Sequence, residues 1–250
     1  MLPFFRKIRF QLAQDNQFLK YSRYAIGEIA MVVVGVLIAL QINNWNENRK
    51  DNEKKLFYIQ LLQEDLMKDT AQIKQFIRQV DHFEPIYRNF KLISEKKDAT
   101  IDTLINLFID PNTNTYTTPK LSPQNDSSLK SLLSTGDIKV FDKYQSSQIL
   151  DFYEDTERGF ESIHSWYNET MRIVEQFWLE YGWLTKKYET NSNWFIYERS
   201  REKIDEIKFS IEFDVYITRR NFWLPVMRQN AENLLKKTNA MLETVQSMQH

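Results

Sequence analysis

Charge almost vanishes from the chain in one place only. Over residues 24–45, YAIGEIAMVVVGVLIALQINNW, apolar positions run together, unbroken from Ile29 to Leu40, whereas elsewhere they recur singly at three- and four-residue steps. As a helix rising about 1.5 Å per residue, this stretch extends roughly 33 Å, which matches a hydrocarbon layer of about 30 Å. Tyr24 and Trp45 stand at its two ends, where amphipathic rings favour the headgroup layer, and no small-residue cleavage site follows. The pattern predicts a transmembrane helix over 24–45.

Residues 1–23 mix Phe4, Phe5, Ile8, Leu12 and Leu19 with Arg6, Lys7, Arg9, Lys20 and Arg23. That blend predicts a basic amphipathic helix lying in the membrane interface beside an anionic leaflet, with Tyr24 and Trp45 completing the interfacial set. Beyond the span no proline or glycine occurs until Pro85, so the helix is expected to continue out of the membrane. Ile59, Leu62, Leu66, Ile73, Phe76, Ile77, Val80 and Phe83 form one apolar stripe along it. Pro85 should kink or end that helix, with 86–93 continuing beyond. A short helix over about 101–109 follows, opened by Thr100 or Asp102 and stopped near Pro111.

Residues 110–126 carry three prolines among Asn, Thr and Ser and read as the one long loop, of a length that binds something or stays mobile. Helical pattern resumes at Ser127, stops at Gly136 as a C-terminal cap, and restarts near Asp142. A long aromatic helix then reaches about Lys187. Trp166, Ile173, Phe177 and Leu184 are expected on one face, with Tyr167, Trp178, Tyr181 and Trp183 spread around the rest. Such aromatic density could form a ligand cage or a membrane-dipping surface, but reads rather as core or as an interface for an envelope protein partner. After a break at 189–193 a final helix runs over about 202–249, marked by Ile204, Ile207, Ile211, Tyr216, Leu224, Leu234, Leu235, Leu242 and Val245, with a second kink at Pro225. The expected fold class is all-α: an N-terminal amphipathic helix, one transmembrane helix continuing into a long helix, and an extramembrane antiparallel helical bundle over 46–250.

Composition narrows the partners. A hydrophobic content of 42% supports one sizeable core plus an anchor, and a net charge of -1 without a basic face argues against nucleic acid. The absence of cysteine removes disulfides, thiolate metal sites and cysteine nucleophiles together. Five glycines and six prolines are few for a turn-rich sheet protein. Five Lys/Arg residues precede the span and four follow it soon after, a small bias that places the N-terminus in the cytoplasm and the bundle in the periplasm or exterior.

Glu28 does not fit its surroundings. It lies inside the apolar run, where an unpaired carboxylate costs at least about 2 kcal/mol. At 100° per residue Glu28, Val32, Gly35, Ala39, Asn43 and Asn46 share one side of the helix, and Ile26, Val33, Leu37 and Leu40 the other. Gly35 and Ala39 form a small-xxx-small pair that admits a second backbone, so the helix is expected to self-associate, a homo-oligomer with Glu28 turned inward. Three roles are open for Glu28: a shallow carboxylate that reaches interfacial water or pairs with Arg23 or Lys20, a ring of side chains hydrogen-bonded across an oligomer, or a proton or cation site in a pore.

Catalytic signatures are missing. His82, His164 and His250 share no metal-ligand spacing, and neither a GxSxG elbow nor a glycine-rich phosphate loop occurs. The pairs Glu64/Asp65 and Glu154/Asp155 read as solvated helix faces. No enzyme activity, cofactor or metal is expected.

Residues 20–50, KYSRYAIGEIAMVVVGVLIALQINNWNENRK, resemble a domain-of-unknown-function family of small membrane proteins common in Bacteroidota. The matching positions are Lys7, Ile8 and Arg9, then 24–28 (YAIGE), then 39–47 (ALQINNWNE), while SLKSLLSTGDI over 128–138 resembles a recurrent phrase of the same family. The resemblance implies an anchored inner-membrane protein and carries no activity. Residues and resemblance together lead to a non-enzymatic, membrane-anchored oligomeric scaffold, sensor or interaction protein whose partners are the lipid bilayer and further copies of itself. A pore-forming or ion-coupled subunit using Glu28 is the alternative, and a ligand sensor built on the aromatic helix and the 110–126 loop is a third.

Overall fold

The computed structural model describes residues 18–113, 115–184 and 201–249. Phe4, Phe5, Arg6, Lys7 and Arg9, the Lys20 side chain, the break at 189–193 and the end of the aromatic helix near Lys187 lie outside the described residues. Among the described residues there are five α-helices, α1 (Phe18–Ser94), α2 (Ile101–Ile109), α3 (Ser127–Thr135), α4 (Lys143–Tyr181) and α5 (Glu206–Ser247), with a 3-10 turn at Asp137–Val140. No strand occurs among the described residues. By contacts the chain divides into two units, Met1–Leu56 and Phe57–His250.

The first unit holds the apolar run. Every large hydrophobic residue from Ile26 to Ile42 is exposed, as are Tyr24 and Trp45 at its ends. None of the most apolar window is buried, so it is not the core helix of a globular fold; it is long and apolar enough to cross a membrane.

In the second unit the predicted stripe is the core face of α1. Ile59, Leu62, Leu66, Ile73, Phe76, Val80 and Phe83 are buried, Ile77 is partly so, and the stripe goes on through Tyr87 and Phe90. Pro85 therefore does not end the helix. It removes one backbone donor, and buried Phe83 and Tyr87 hold the turns on either side. Pro225 sits likewise inside α5, between buried Leu224 and Met227.

Helix ends follow the sequence signals. Thr100 Oγ1 accepts from Thr103 N at the start of α2. Asp142 and Gln145 close a reciprocal capping box on α4. Gly136 ends α3 at φ 70°, the left-handed backbone that glycine adopts without Cβ strain.

Cross-helix pairs fix the directions. Thr70–Asn239, Asp81–Arg228, Tyr87–Tyr216 and Lys91–Asp214 step forward on α1 as they step back on α5. Asp155–Lys237, Glu169–Arg219, Phe177–Phe213 and Glu180–Lys208 do the same between α4 and α5. α5 thus runs antiparallel to both, and α1 and α4 share a direction because residues 95–142 carry the chain back to the start of the unit. The 110–126 loop makes much of that return and is strapped down rather than loose. Thr115 accepts from Tyr87 and Tyr216, Gln72 donates to the Pro123 carbonyl, and Leu121 is buried.

Two assigned faces differ from the sequence expectation. Phe177 and Leu184 are buried but Trp166 and Ile173 are only half-buried, and Tyr181 belongs to the core. The core face of α4 is Ile149, Tyr153, Thr156, Phe160, Ile163, Thr170, Val174, Phe177 and Tyr181, a stripe set by packing along α5. On α5, Tyr216, Leu224, Leu234 and Val245 are buried, whereas Ile207 and Ile211 face solvent, 75% and 60% exposed; Phe209 and Phe213 take the inward positions beside them.

Candidate functional site

The hydrophobic interior comes in two clusters, and the layer between them is polar. One gathers Tyr58, Ile59, Leu62 and Leu66 with Ile149, Tyr153, Met241 and Val245; the other spans Ile73 to Phe90 with α2, the rest of α4 and the first part of α5. Between them lie Asp69, Thr156 and Thr238, each 0–1% exposed. The two threonines return their hydroxyl protons to their own helices, Thr156 to the Phe152 carbonyl and Thr238 to the Leu234 carbonyl, and Gln124 from the strap donates to Thr156 Oγ1 at 2.7 Å.

Asp65 and Asp69, one turn apart on α1, hold the strap and α3. Asp65 accepts from Ser128 N at 2.9 Å, Ser128 Oγ at 2.7 Å and Ser127 Oγ at 3.0 Å. It caps α3 from another helix, since the adjacent Asp126 side chain makes no cap bond. Asp69 Oδ1 accepts from Asn125 N, Asn125 Nδ2 and Gln72 Nε2. Its Oδ2 is buried without a partner among the described residues. Burial pushes the Asp69 carboxyl up to about 6, the Asn125 bonds oppose the rise, and the charge of Asp65 adds to it. Tyr153 lies nearby, 4% exposed, and its hydroxyl too lacks a hydrogen-bond partner among the described residues. Burial first, then the charges of Asp65, Asp69 and Asp126, raise that hydroxyl well above the usual tyrosine range.

Tyr153 also lines a groove of about 950 Å³ between α3, the end of the strap and the first half of α4. Leu129, Leu133, Leu150 and Phe160 make its surface apolar. On the α3 side Lys130 is paired with Asp126 at 2.8 Å. On the α4 side Glu154, Glu157 and Glu161 line the groove, all exposed and none in an ion pair among the described residues. His164 lines its end; it and His82 are exposed, and the described residues contain no group of three or more side chains able to hold a metal.

The residues singled out in the apolar run stand on the surface of the first unit. Val32, Ala39 and Asn43 are exposed, Glu28 is half-buried, and a Cβ on Gly35 would meet nothing within 4 Å. Asn43 donates to Glu47 at 3.0 Å, and the Arg49 guanidinium lies 6.0 Å from the Trp45 ring centroid. Arg23, like Tyr24, is exposed.

The reading of Glu64/Asp65 as a solvated face is wrong for Asp65, which is 3% exposed. Leu62, Leu66, Asp69 and Ile73 keep the stripe's three- and four-residue steps, so Asp69 occupies an apolar slot. A charge in such a slot was the available signal. Asp155 does face solvent, paired with Lys237 at 2.6 Å.

Residues 28–156 match the model of a family described only as a family of unknown function, DUF6090. No curated protein and no solved structure matches the chain.

Proposed function

Because the chain belongs to the DUF6090 family, whose function is unknown, its role must come from its own residues, and we propose that it is a membrane-anchored, self-associating interaction protein of the bacterial envelope. The observation that carries this reading is the bare apolar run. A dozen successive positions of exposed apolar surface, 29–40, need a cover, and a lipid bilayer supplies one at the right thickness. Within that cover the face with Glu28, Val32, Gly35, Ala39 and Asn43 is the one that admits a second helix, since its small residues let backbones approach and its carboxylate leaves the acyl chains. The N-terminus lies in the cytoplasm and the C-terminal unit in the periplasm on this reading.

The C-terminal unit acts by binding rather than by catalysis. Its groove joins an apolar surface to Glu154, Glu157 and Glu161, and that combination fits a basic amphipathic helix of an envelope partner. The buried carboxylates behind it are committed to holding the strap and α3.

Two experiments test the proposal. Single cysteines at Gly35 and Leu37 in membranes should crosslink strongly at the first and weakly at the second; the reverse order removes the interface. For the groove, a fluorescent synthetic Leu/Lys amphipathic helix should bind the purified full chain in detergent and lose affinity as salt rises. Replacing Glu154, Glu157 and Glu161 by Gln should weaken binding at least tenfold on the order expected for three charge pairs. Equal binding by the triple variant would remove the groove from the account.

A further inference from the structure

The first half of α5 is apolar on two opposite sides. Phe209, Phe213, Tyr216, Ile217 and Leu224 are buried in the core. Ile207, Ile211, Val215 and Phe222 are 75, 60, 52 and 61% exposed. At 100° per residue these four, with exposed Thr218 among them, fall within about 80° of one another on the side turned away from the core. The stripe is about 22 Å long. It then stops, because the same line carries Gln229, Asn233 and Lys236 further along the helix. Beside Val215 a groove of about 370 Å³ widens the stripe toward α4, with Ile173 and Phe177 in its walls. Single exposed apolar residues are ordinary on a protein surface; an aligned row of four bordered by a groove marks a surface that binds.

The charges beside the stripe say what kind of partner it fits. Lys208 and Arg219 balance Glu212 and Asp214, and each of the four is engaged within the chain. Lys208 pairs with Glu180 on α4 at 2.8 Å, Arg219 pairs with Glu169, Glu212 accepts from the Tyr181 hydroxyl at 2.6 Å, and Asp214 pairs with Lys91 on α1 at 2.7 Å. The face is therefore electrically neutral, unlike the groove with Glu154, Glu157 and Glu161. A basic or acidic partner gains nothing from it, whereas a copy of the same face meets it without repulsion between like charges. The area agrees with that occupant. At these exposures each of the four side chains offers on the order of 100 Å². Two copies meeting stripe to stripe, with the groove walls, then bury roughly 800–1,000 Å², at the low end for a specific interface.

We propose that the Ile207, Ile211, Val215 and Phe222 face of α5 binds the same face of a second copy of this chain. The contact is separate from the one through Gly35, and it rests on the anchoring and self-association proposed above, because a contact of this size needs the high local concentration of copies held in one membrane.

The chain has no cysteine, so single cysteines report contacts cleanly. Ile207→Cys, Ile211→Cys, Val215→Cys and Phe222→Cys, each in the full chain in membranes, are treated with a short bismaleimide. Leu92→Cys, 60% exposed on α1, gives the rate of chance collision. At least one stripe position should crosslink about tenfold faster than that control, all four if the two helices run parallel and those nearest the two-fold axis if they run antiparallel. Adding Ile211→Gln and Phe222→Gln to Val215→Cys should return that position to the control rate, while the melting temperature of the purified full chain stays unchanged or rises, because both side chains face solvent in one copy. Gly35→Cys in the same membranes reads the anchor contact independently. Control rates at all four stripe positions, with Gly35→Cys crosslinking strongly, would overturn the stripe contact alone and mean that lipid or another protein covers this face. Fast stripe crosslinking with Gly35→Cys silent would uphold the stripe and remove the anchor interface.

Discussion

Replacing Asp69 by Asn probes the polar layer with little change of shape. Asn keeps an oxygen where Oδ1 accepts from Asn125 N, Asn125 Nδ2 and Gln72 Nε2, and it removes the buried charge. The sign follows from the direction of the shift. Burial raises the folded-state pKa from 3.8 to about 6, so between those values the folded protein holds a proton that the unfolded chain has released. Stability is therefore highest below about pH 4, falls as pH rises through about 6, and stays lowered above it. A separation of about two pH units corresponds to roughly 3 kcal/mol. Loss of the stronger hydrogen bonds to an ionised oxygen offsets part of that in the variant. Asp69→Asn should consequently match the wild type near pH 4 and exceed it by about 1–3 kcal/mol at pH 7.5. Urea unfolding of the full chain in detergent, followed by tryptophan fluorescence across that range, reads both curves. A variant less stable than wild type at pH 7.5, or a difference that does not change with pH, would refute the placement of an uncompensated carboxylate in this layer.

Other substitutions carry clear expectations. Phe177 touches Phe108, Tyr181, Phe209, Phe213 and Tyr216, and Phe177→Ala should lower unfolding free energy by about 3–5 kcal/mol in the same assay. Asp65→Ala orphans the Ser128 amide and should cost about 1–3 kcal/mol, with earlier proteolysis near α3 than elsewhere. At Gly136 a Cβ meets nothing, so Gly136→Ala should cost only the backbone penalty at φ 70°, about 1 kcal/mol. At Gly159 the added Cβ comes within 2.7 Å of Leu234, and Gly159→Val should destabilise the α4–α5 contact by about 1–3 kcal/mol, measured as a shift of the urea midpoint.

Much of the helical frame can be read in the chain because the signals are local. Thr100, Gly136 and the Asp142/Gln145 pair act within three or four residues, and the α1 stripe declares its buried side by spacing alone. The faces of α4 and α5 were less legible because both helices are apolar on more than one side. Ile207, Ile211 and Trp166 satisfy a helical period as well as Phe209, Phe213 and Tyr153 do, and only the positions of the neighbouring helices choose between them. Asp65 and Asp69 were hidden for a different reason. A buried carboxylate needs donors, and these come from Asn125, Ser127 and Ser128, far along the chain at the end of a loop that looked free. The same long-range pairing makes 110–126 a strap instead of a mobile segment. In the apolar run, the face with Glu28, Gly35 and Ala39 follows from helical periodicity, while what covers it is a matter of the surroundings.

Everything proposed about anchoring and self-association depends on where the helix at 24–45 resides. The direct measurement is the partition of the full-length protein in its native membranes after an alkaline carbonate wash. Retention in the pellet, with release only by detergent, is the predicted result. Recovery of the protein in the wash, monodisperse without detergent, would show that this helix is covered by protein instead of lipid.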